Sequence, residues 1–306
     1  MLLNSNSMAF GRNETFYLKY NWTFKTLSAI EHNKDFLSLP DSYLDLGVGK
    51  NMLSSIKYWM NAYQILDEDR TSYRDDISKL IFDPNTGFDP YLEREETLWI
   101  MHWRLCSNPS NATLYYWFFN HFKNTRFTKD EILGSLAEWL KDTTAKKFSP
   151  KTLDRDINLL LKTYSSNQDM SEGIEDALEN PFANLELLTK NSDGTYSVEF
   201  NHRDEVNCEL FTLAVINLLD EMRGSDLFNK REIKFIPLND VIDSQDFSSI
   251  RNIFRLSENF LISSAEQMTM RYSKYFELSD SGAGQRNLII NDSSLSMIDV
   301  VKSIYQ

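Results

Sequence analysis

The sequence predicts a mainly α-helical fold with small β-hairpins, arranged as tandem winged helix-turn-helix-like modules. Three observations predict it. Seven prolines and ten glycines punctuate 306 residues, which favours long regular elements over loops. Apolar residues return at helical spacing in several windows. One layout, a helix, a turn, a second helix and then a hairpin, recurs in loose form along the chain. Apolar residues make up 42% of the chain, with 20 Phe, 14 Tyr and 6 Trp, enough bulky material for a globular core.

The first module spans residues 1–90. A helix is expected over 22–32, followed by a short segment over 42–46 and the turn Gly47-Val48-Gly49. From Lys50 a second helix runs to about Leu66. Its apolar side is Met52, Leu53, Ile56, Trp59, Met60 and Tyr63, and its polar side is Lys50, Asn51, Ser54, Lys57, Tyr58 and Asn61. A glycine turn that opens such a helix is what a helix-turn-helix needs. The polar side chains suit phosphates and base edges, although a solvated helix face reads the same way. Residues 67–70 and 82–87 are loop or wing material.

The second module spans residues 91–201. It begins with two aromatic stretches, Leu98 to Trp103 and Leu114 to Phe119, expected as a buried helical pair forming an interdomain core. Thr128-Lys-Asp-Glu131 has the spacing of a capping box and opens a helix with Ile132, Leu133, Leu136, Trp139 and Leu140 on one side. Ser149-Pro150 supplies a cap and a proline at the first helical position. The helix that follows runs to about Tyr164 and shows Lys151, Arg155, Asn158 and Lys162 along its outer face. Asp154 and Asp156 flank Arg155, so a structural salt bridge competes with any ligand contact there. Strands at 185–189 and 196–200 flank Asn191-Ser-Asp-Gly194, a hairpin signal.

The third module spans residues 202–306. A helix over 209–222 leads to a strand over 232–238 and a helix over about 247–261. Ser264-Ala-Glu-Gln267 resembles a capping box for a short helix. Strands at 275–278 and 287–290 are joined by residues 279–286.

Charge and composition narrow the function classes. The formal charge is −13, unfavourable for a DNA binder that works by releasing counterions. The distribution is segregated, however. Residues 120–162 hold nine Lys or Arg against six acids, a local +3, whereas Asp169, Glu172, Glu175, Asp176 and Glu179 stand together with no base. The acidic surface suits a protein partner. The start has no basic region and no long apolar run, and no window reaches the roughly 18 apolar residues of a membrane span. Two cysteines, Cys106 and Cys208, make no disulfide framework. A cytoplasmic protein without a membrane partner is expected.

Several enzyme motifs are absent. Gly47-Val-Gly-Lys50 is not a phosphate loop, because Leu44 stands where a glycine is needed and Asn51 where Ser or Thr is needed. His32, His102, His121 and His202 lie at no metal-ligand spacing. His102, among Trp99 and Trp103, reads as core, and His121 as capping or surface. Metal-dependent DNA cleavage needs converging carboxylates. Glu232-Ile-Lys234, with Asp220 or Asp226 upstream, has the loose pattern of such a nuclease core, a pattern that arises readily by chance in acidic chains. Asp67-Glu-Asp69 reads as a solvated loop.

Segments along nearly the whole chain resemble one family. They are Arg12-Asn13-Glu14-Thr15-Phe16, with Arg12 and Asn13 where the family has Gly and His, and the block Leu46 to Trp59. Phe118-Phe-Asn120, Arg155-Asp156 with Tyr164, Asn180-Pro181 and Asp280 to Arg286 add to it. The family resembled is that of bacterial DNA phosphorothioation gene clusters, encoded beside cysteine desulfurase and sulfur-transfer genes, which includes the nicking subunit of the single-strand (Ssp) system. The resemblance implies a DNA-binding protein of a phosphorothioate modification and antiviral defence system, a nicking endonuclease acting on duplex DNA with Mg2+. The alternative is a non-catalytic DNA-binding adaptor, or a transcriptional-regulator-like protein, that recruits partner subunits. Sulfur-transfer and ATPase components are the expected partners. No motif of the family designates a catalytic carboxylate. The expected DNA contacts are Arg12, Lys50, Asn51, Ser54, Ser55 and Lys57 from the first module, Lys151, Thr152 and Arg155 from the second, and Gln285 and Arg286 from the third.

Overall fold

A computed structural model describes residues 3–165, 179–225, 233–244, 247–280, 282 and 285–306. The chain is mainly helical with two small antiparallel sheets, and it divides into two units, residues 3–199 and 200–306. Residues of the first two expected modules share the larger unit.

In that unit α1 (Tyr20–His32) buries Trp22, Thr23, Thr26, Leu27 and Ile30. The short α2 (Ser42–Asp45) ends on Gly47, whose φ of +68° suits a residue without Cβ. The amides of Gly47 and Val48 return to the carbonyls of Leu44 and Tyr43, closing the turn. Gly49 is the N-cap of α3 (Lys50–Ala62), which buries Leu53, Ile56, Trp59 and Met60 as its period requires. Helix α3 stops earlier than expected. Gln64 takes a φ of +56°, and its carbonyl accepts the Ser78 hydroxyl at 2.9 Å, so a tertiary bond turns the chain away. No wing sheet follows among the described residues. A single antiparallel bridge joins Leu66 to Tyr73, and α4 (Asp76–Phe82) takes the place of a hairpin.

The aromatic pair forms α5 (Glu95–Cys106) and α6 (Thr113–Asn120), and all eight residues of α6 are buried. The pair is core of the larger unit. Tyr115 of α6 packs against Tyr164, and Phe182 against Tyr164 and Tyr63. Asn120 is structural, its amide donating to the carbonyls of Cys106 and Tyr116. Thr128 and Glu131 make the reciprocal capping box of α7 (Lys129–Thr143). Pro150 opens α8 (Pro150–Tyr164), whereas the Ser149 side chain caps nothing. Asn180 accepts the Phe182 amide and starts a 3-10 turn over Pro181–Leu185; of the strand expected over 185–189, only its last residue, Thr189, lies in a strand.

The first sheet comprises β1 (Arg126–Phe127), β2 (Thr189–Lys190) and β3 (Tyr196–Ser197), ordered β1-β3-β2, with Phe127 opposite Tyr196 and Thr189 opposite Ser197. The Asn191–Gly194 turn lies between β2 and β3, as the hairpin signal predicts.

The unit 200–306 starts with α9 (Cys208–Gly224), capped by Asn207. Then come β4 (Phe235–Pro237), α10 (Leu238–Ile242), α11 (Ile250–Phe254), α12 (Glu258–Arg271), β5 (Phe276–Asp280), β6 (Arg286–Ile290) and α13 (Met297–Ile304). The helix expected over 247–261 is broken at Arg255, which is buried with a φ of +53°. Its carbonyl accepts the Asn201 amide, and the Asn201 carbonyl accepts the Ser257 amide. Ser264 is consequently no cap. It lies buried inside α12 and donates to the Phe260 carbonyl. The second sheet is ordered β4-β6-β5. In both sheets, one strand precedes the helices and the last strand of a hairpin lies in the middle. Among the described residues no helix is long and apolar enough to cross a membrane.

Candidate nucleic-acid interface

The outer face of α3 follows from its period. Lys50, Asn51 and Ser54 are exposed and Lys57 is half-exposed. Lys50 Nζ lies 5.2 Å from the centre of the Tyr43 ring. The Ser54 hydroxyl donates to the Lys50 carbonyl at 3.3 Å, a weak bond that a ligand can replace. Burial lowers the Lys57 pKa, and the nearby Arg70 charge adds to this. Arg70, which the sequence did not single out, is held by Asn61 Oδ1 at 3.3 Å. It extends the positive face by one residue.

Ser55 does not reach this face. It is fully buried, and its hydroxyl donates to the Phe16 carbonyl at 3.1 Å. Trp59 Nε1 donates to the same carbonyl at 2.8 Å. Ser55 sits one residue before Ile56 and shares the core side of the helix. It anchors the N-terminal segment and lies out of reach of a ligand on the outer face.

On α8, Lys151 and Arg155 are exposed and Thr152 is half-buried. Neither flanking acid is consumed by Arg155. Asp154 pairs with Lys129 at 2.8 Å and accepts the Asn158 amide at 3.2 Å. Asp156 is buried and turned inward, accepting the Gly11 amide at 2.6 Å and Asn13 Nδ2 at 3.1 Å. The N-terminal segment thus meets α8 at Gly11 and Asn13 and α3 at Phe16, with the exposed Arg12 between. Three of the segments that carry the family resemblance converge here: Arg12–Phe16, Leu46–Trp59 and Arg155-Asp156. Gly11 escaped the sequence reading, although a glycine directly before Arg-Asn-Glu-Thr was the available signal.

The third group of expected contacts lies in the other unit. Gln285 is exposed. Arg286 is engaged by Glu266 at 2.7 Å and Asp280 at 3.4 Å, so its charge is already balanced. A phosphate would have to displace both carboxylates. Residues 281, 283 and 284 of that turn lie outside the described residues.

The histidines are accounted for without chemistry. His102 is core, with Nδ1 at 2.8 Å from the Tyr164 hydroxyl and 3.7 Å from Cys106 Sγ. His121 follows α6 and stacks on Trp139. His32 Nδ1 meets the Ser28 carbonyl, and His202 meets Asp204. Asp67 closes its own loop, accepting the Ser72 hydroxyl at 2.7 Å and the Thr71 amide at 3.0 Å. Asp220 pairs with Arg223 at 2.9 Å. Glu232 and Asp226 lie outside the described residues, as do Asp169, Glu172, Glu175 and Asp176; Glu179 pairs with Lys19. Among the described residues no three His, Cys, Asp or Glu side chains are grouped to hold a metal ion.

Residues 10–305 match the family model described as "Protein of unknown function (DUF4007)". No curated protein matches the sequence. Two solved structures share the fold. A magnesium ion-bound SspB crystal structure is 23% identical, with a TM-score of 0.81 over 97% of this chain and 86% of that one. A second SspB crystal structure is 22% identical, with a TM-score of 0.80 over the same shares.

Proposed function

Because the chain belongs to the DUF4007 family and has the fold of SspB, we propose that it is a DNA-binding component of a bacterial DNA phosphorothioate modification and defence system. The observation that carries the reading is the convergence at one junction of the three separated segments that resemble the phosphorothioation family. Around that junction stand Arg12, Lys151 and Arg155, with Thr152 beside them, and Lys50, Asn51, Ser54 and Lys57 face outward from α3. In a chain of formal charge −13, cations left outside ion pairs on helix faces are where a polyanion can bind. Lys50, Lys57, Lys151, Arg12 and Arg155 anchor phosphates, and Asn51 and Ser54 read base edges. In each sheet-bearing region a helix, a strand and further helices precede a hairpin, two helices in the first region and three in the second, an order that supports a winged-helix layout.

The activity proposed is nicking of duplex DNA with Mg2+. The described residues offer no grouped carboxylates for the ion, so named residues carry the binding half of this reading and not the cleavage. The alternative is a non-catalytic adaptor or regulator-like protein that recruits sulfur-transfer and ATPase subunits. The acidic balance of the chain favours it, because an acidic surface repels DNA and attracts basic protein faces.

Two experiments test the reading. Lys50→Glu with Lys57→Glu should weaken binding to a DNA duplex and flatten the dependence of log K on log salt by about 0.9 for each phosphate that is no longer neutralised. Unchanged binding removes α3 from the interface. Supercoiled plasmid should relax in Mg2+ and stay intact in EDTA. A chain that leaves it supercoiled in Mg2+, alone and with its partner subunits, is the adaptor.

A further inference from the structure

The stretch from Gly11 to Phe16 is costly to hold. Gly11, Glu14 and Thr15 all have positive φ, at +69°, +47° and +67°, and two of the three carry a Cβ. Such a backbone persists only where its surroundings fix it. Phe16 is fixed by Ser55 and Trp59 of α3. The other end is fixed by one side chain, the Asp156 carboxylate, whose two oxygens take one bond each from Gly11 and Asn13. Asn13 is locked in turn, because its Oδ1 accepts the Thr15 amide at 3.1 Å. The fit is close. A Cβ on Gly11 would stand 2.7 Å from Thr152 Cγ2 and 3.5 Å from Arg155 Nη2.

Asp156 is an expensive choice for a merely structural bond. Burial pushes its carboxyl pKa up, even though Gly11, Asn13 and the Arg155 charge favour the ionised form. Burial pushes the Tyr58 hydroxyl pKa up, and the charges of Asp156 and Arg12 act on it in opposite senses. The carboxylate thus holds the residues on either side of Arg12 and lies within range of the Arg155 charge.

We propose that Asp156 is a positioning residue for phosphate binding: it clamps the Gly11–Asn13 turn onto α8 and so sets Arg12 beside Thr152 and Arg155 as one composite phosphate site. The inference deepens the DNA-binding reading and rests on it. Asp156 touches no phosphate itself and acts through Arg12.

The test is a double-mutant cycle with the full chain and a fluorescein-labelled DNA duplex. Arg12→Gln and Asp156→Asn should each weaken binding about 5- to 10-fold, and the double variant should be no weaker than Asp156→Asn alone. Each should also flatten the salt slope by about 0.9, the equivalent of one phosphate. An Asn at 156 presents an NH2 to one of two donors, and Asn13 cannot turn to accept it without releasing Thr15. Gly11→Ala disturbs the clamp from the other side while leaving the carboxylate in place, and should reproduce the binding loss. It stands in if Asp156→Asn fails to fold, as judged by thermal melting. Losses that multiply in the double variant, or an Asp156→Asn chain that folds and binds like wild type, would overturn the proposal. The wild-type titration separates the two readings. If wild type ignores the duplex at low salt, DNA binding fails, and the clamp stands or falls on tryptic cleavage after Arg12, which Asp156→Asn must accelerate.

Discussion

Asp156 and His121 are both ionisable side chains withdrawn from water, and the protein treats their charges differently. Asp156 is surrounded by donors. His121 is left neutral against Tyr116 and Trp139, and its Nε2 has no hydrogen-bond partner among the described residues. Burial, with the nearby Lys123 charge, lowers the His121 pKa to about 4. An unfolded chain titrates there near pH 6.5. Between those values the unfolded state binds a proton that the folded state refuses. The stability is therefore full above about pH 6.5 and falls toward pH 4, by up to about 1.4 kcal/mol per pH unit. His121→Phe should remove that component. Denaturant midpoints at about pH 7 and about pH 5 check it, and a variant that loses stability in parallel with wild type contradicts the assignment. The same scale shows where the sequence misled. Lys50, Asn51 and Ser54 were legible as an outer face because spacing alone decides them. Ser55 lies one residue on, and only the bond to Phe16, 39 residues away, shows that it is committed to the core. Arg286 looked like a free cation because Glu266, its carboxylate partner, comes from the preceding helix.

At the scale of elements, those with local signals were readable and those set by distant partners were not. The start of α7 is fixed by Thr128 and Glu131, three residues apart, and the structure contains both bonds of the box. Thr128→Ala should cost about 1 kcal/mol of stability, seen as a lower thermal or denaturant midpoint, because it strips the Glu131 amide of its acceptor. No change would mean that water replaces the cap. Pro150 marked α8 equally well. Strand β1 was invisible, since two residues carry no period and its partner Tyr196–Ser197 lies some 70 residues downstream. The break at Arg255 was invisible for the same kind of reason. It is imposed by Asn201, and the sequence around 255 reads as uninterrupted helix. The first module, read from its glycine turn as a winged unit, kept the turn and the helix. It lost the wing because the Gln64–Ser78 bond leads the chain into α4.

For the whole molecule, the balance of charge matters more than any one residue. A chain at −13 repels DNA at long range, and salt screens that repulsion together with the attraction of the basic faces. Binding should therefore depend on the few cations not taken up by acids, which is why charge reversal on α3 and loosening of Arg12 are the informative changes. The two sheets have a further consequence. In each, the middle strand is the last of the three along the chain, β3 at Tyr196–Ser197 and β6 at Arg286–Ile290. Synthesis runs from the N-terminus, so Arg126–Phe127 and Phe235–Pro237 emerge long before anything exists to pair with them. Each sheet is zipped shut by its final strand, and until then its first strand waits as an open edge. The helices between must therefore hold their positions on their own packing, and the nascent chain is most exposed to mispairing just before each module is complete.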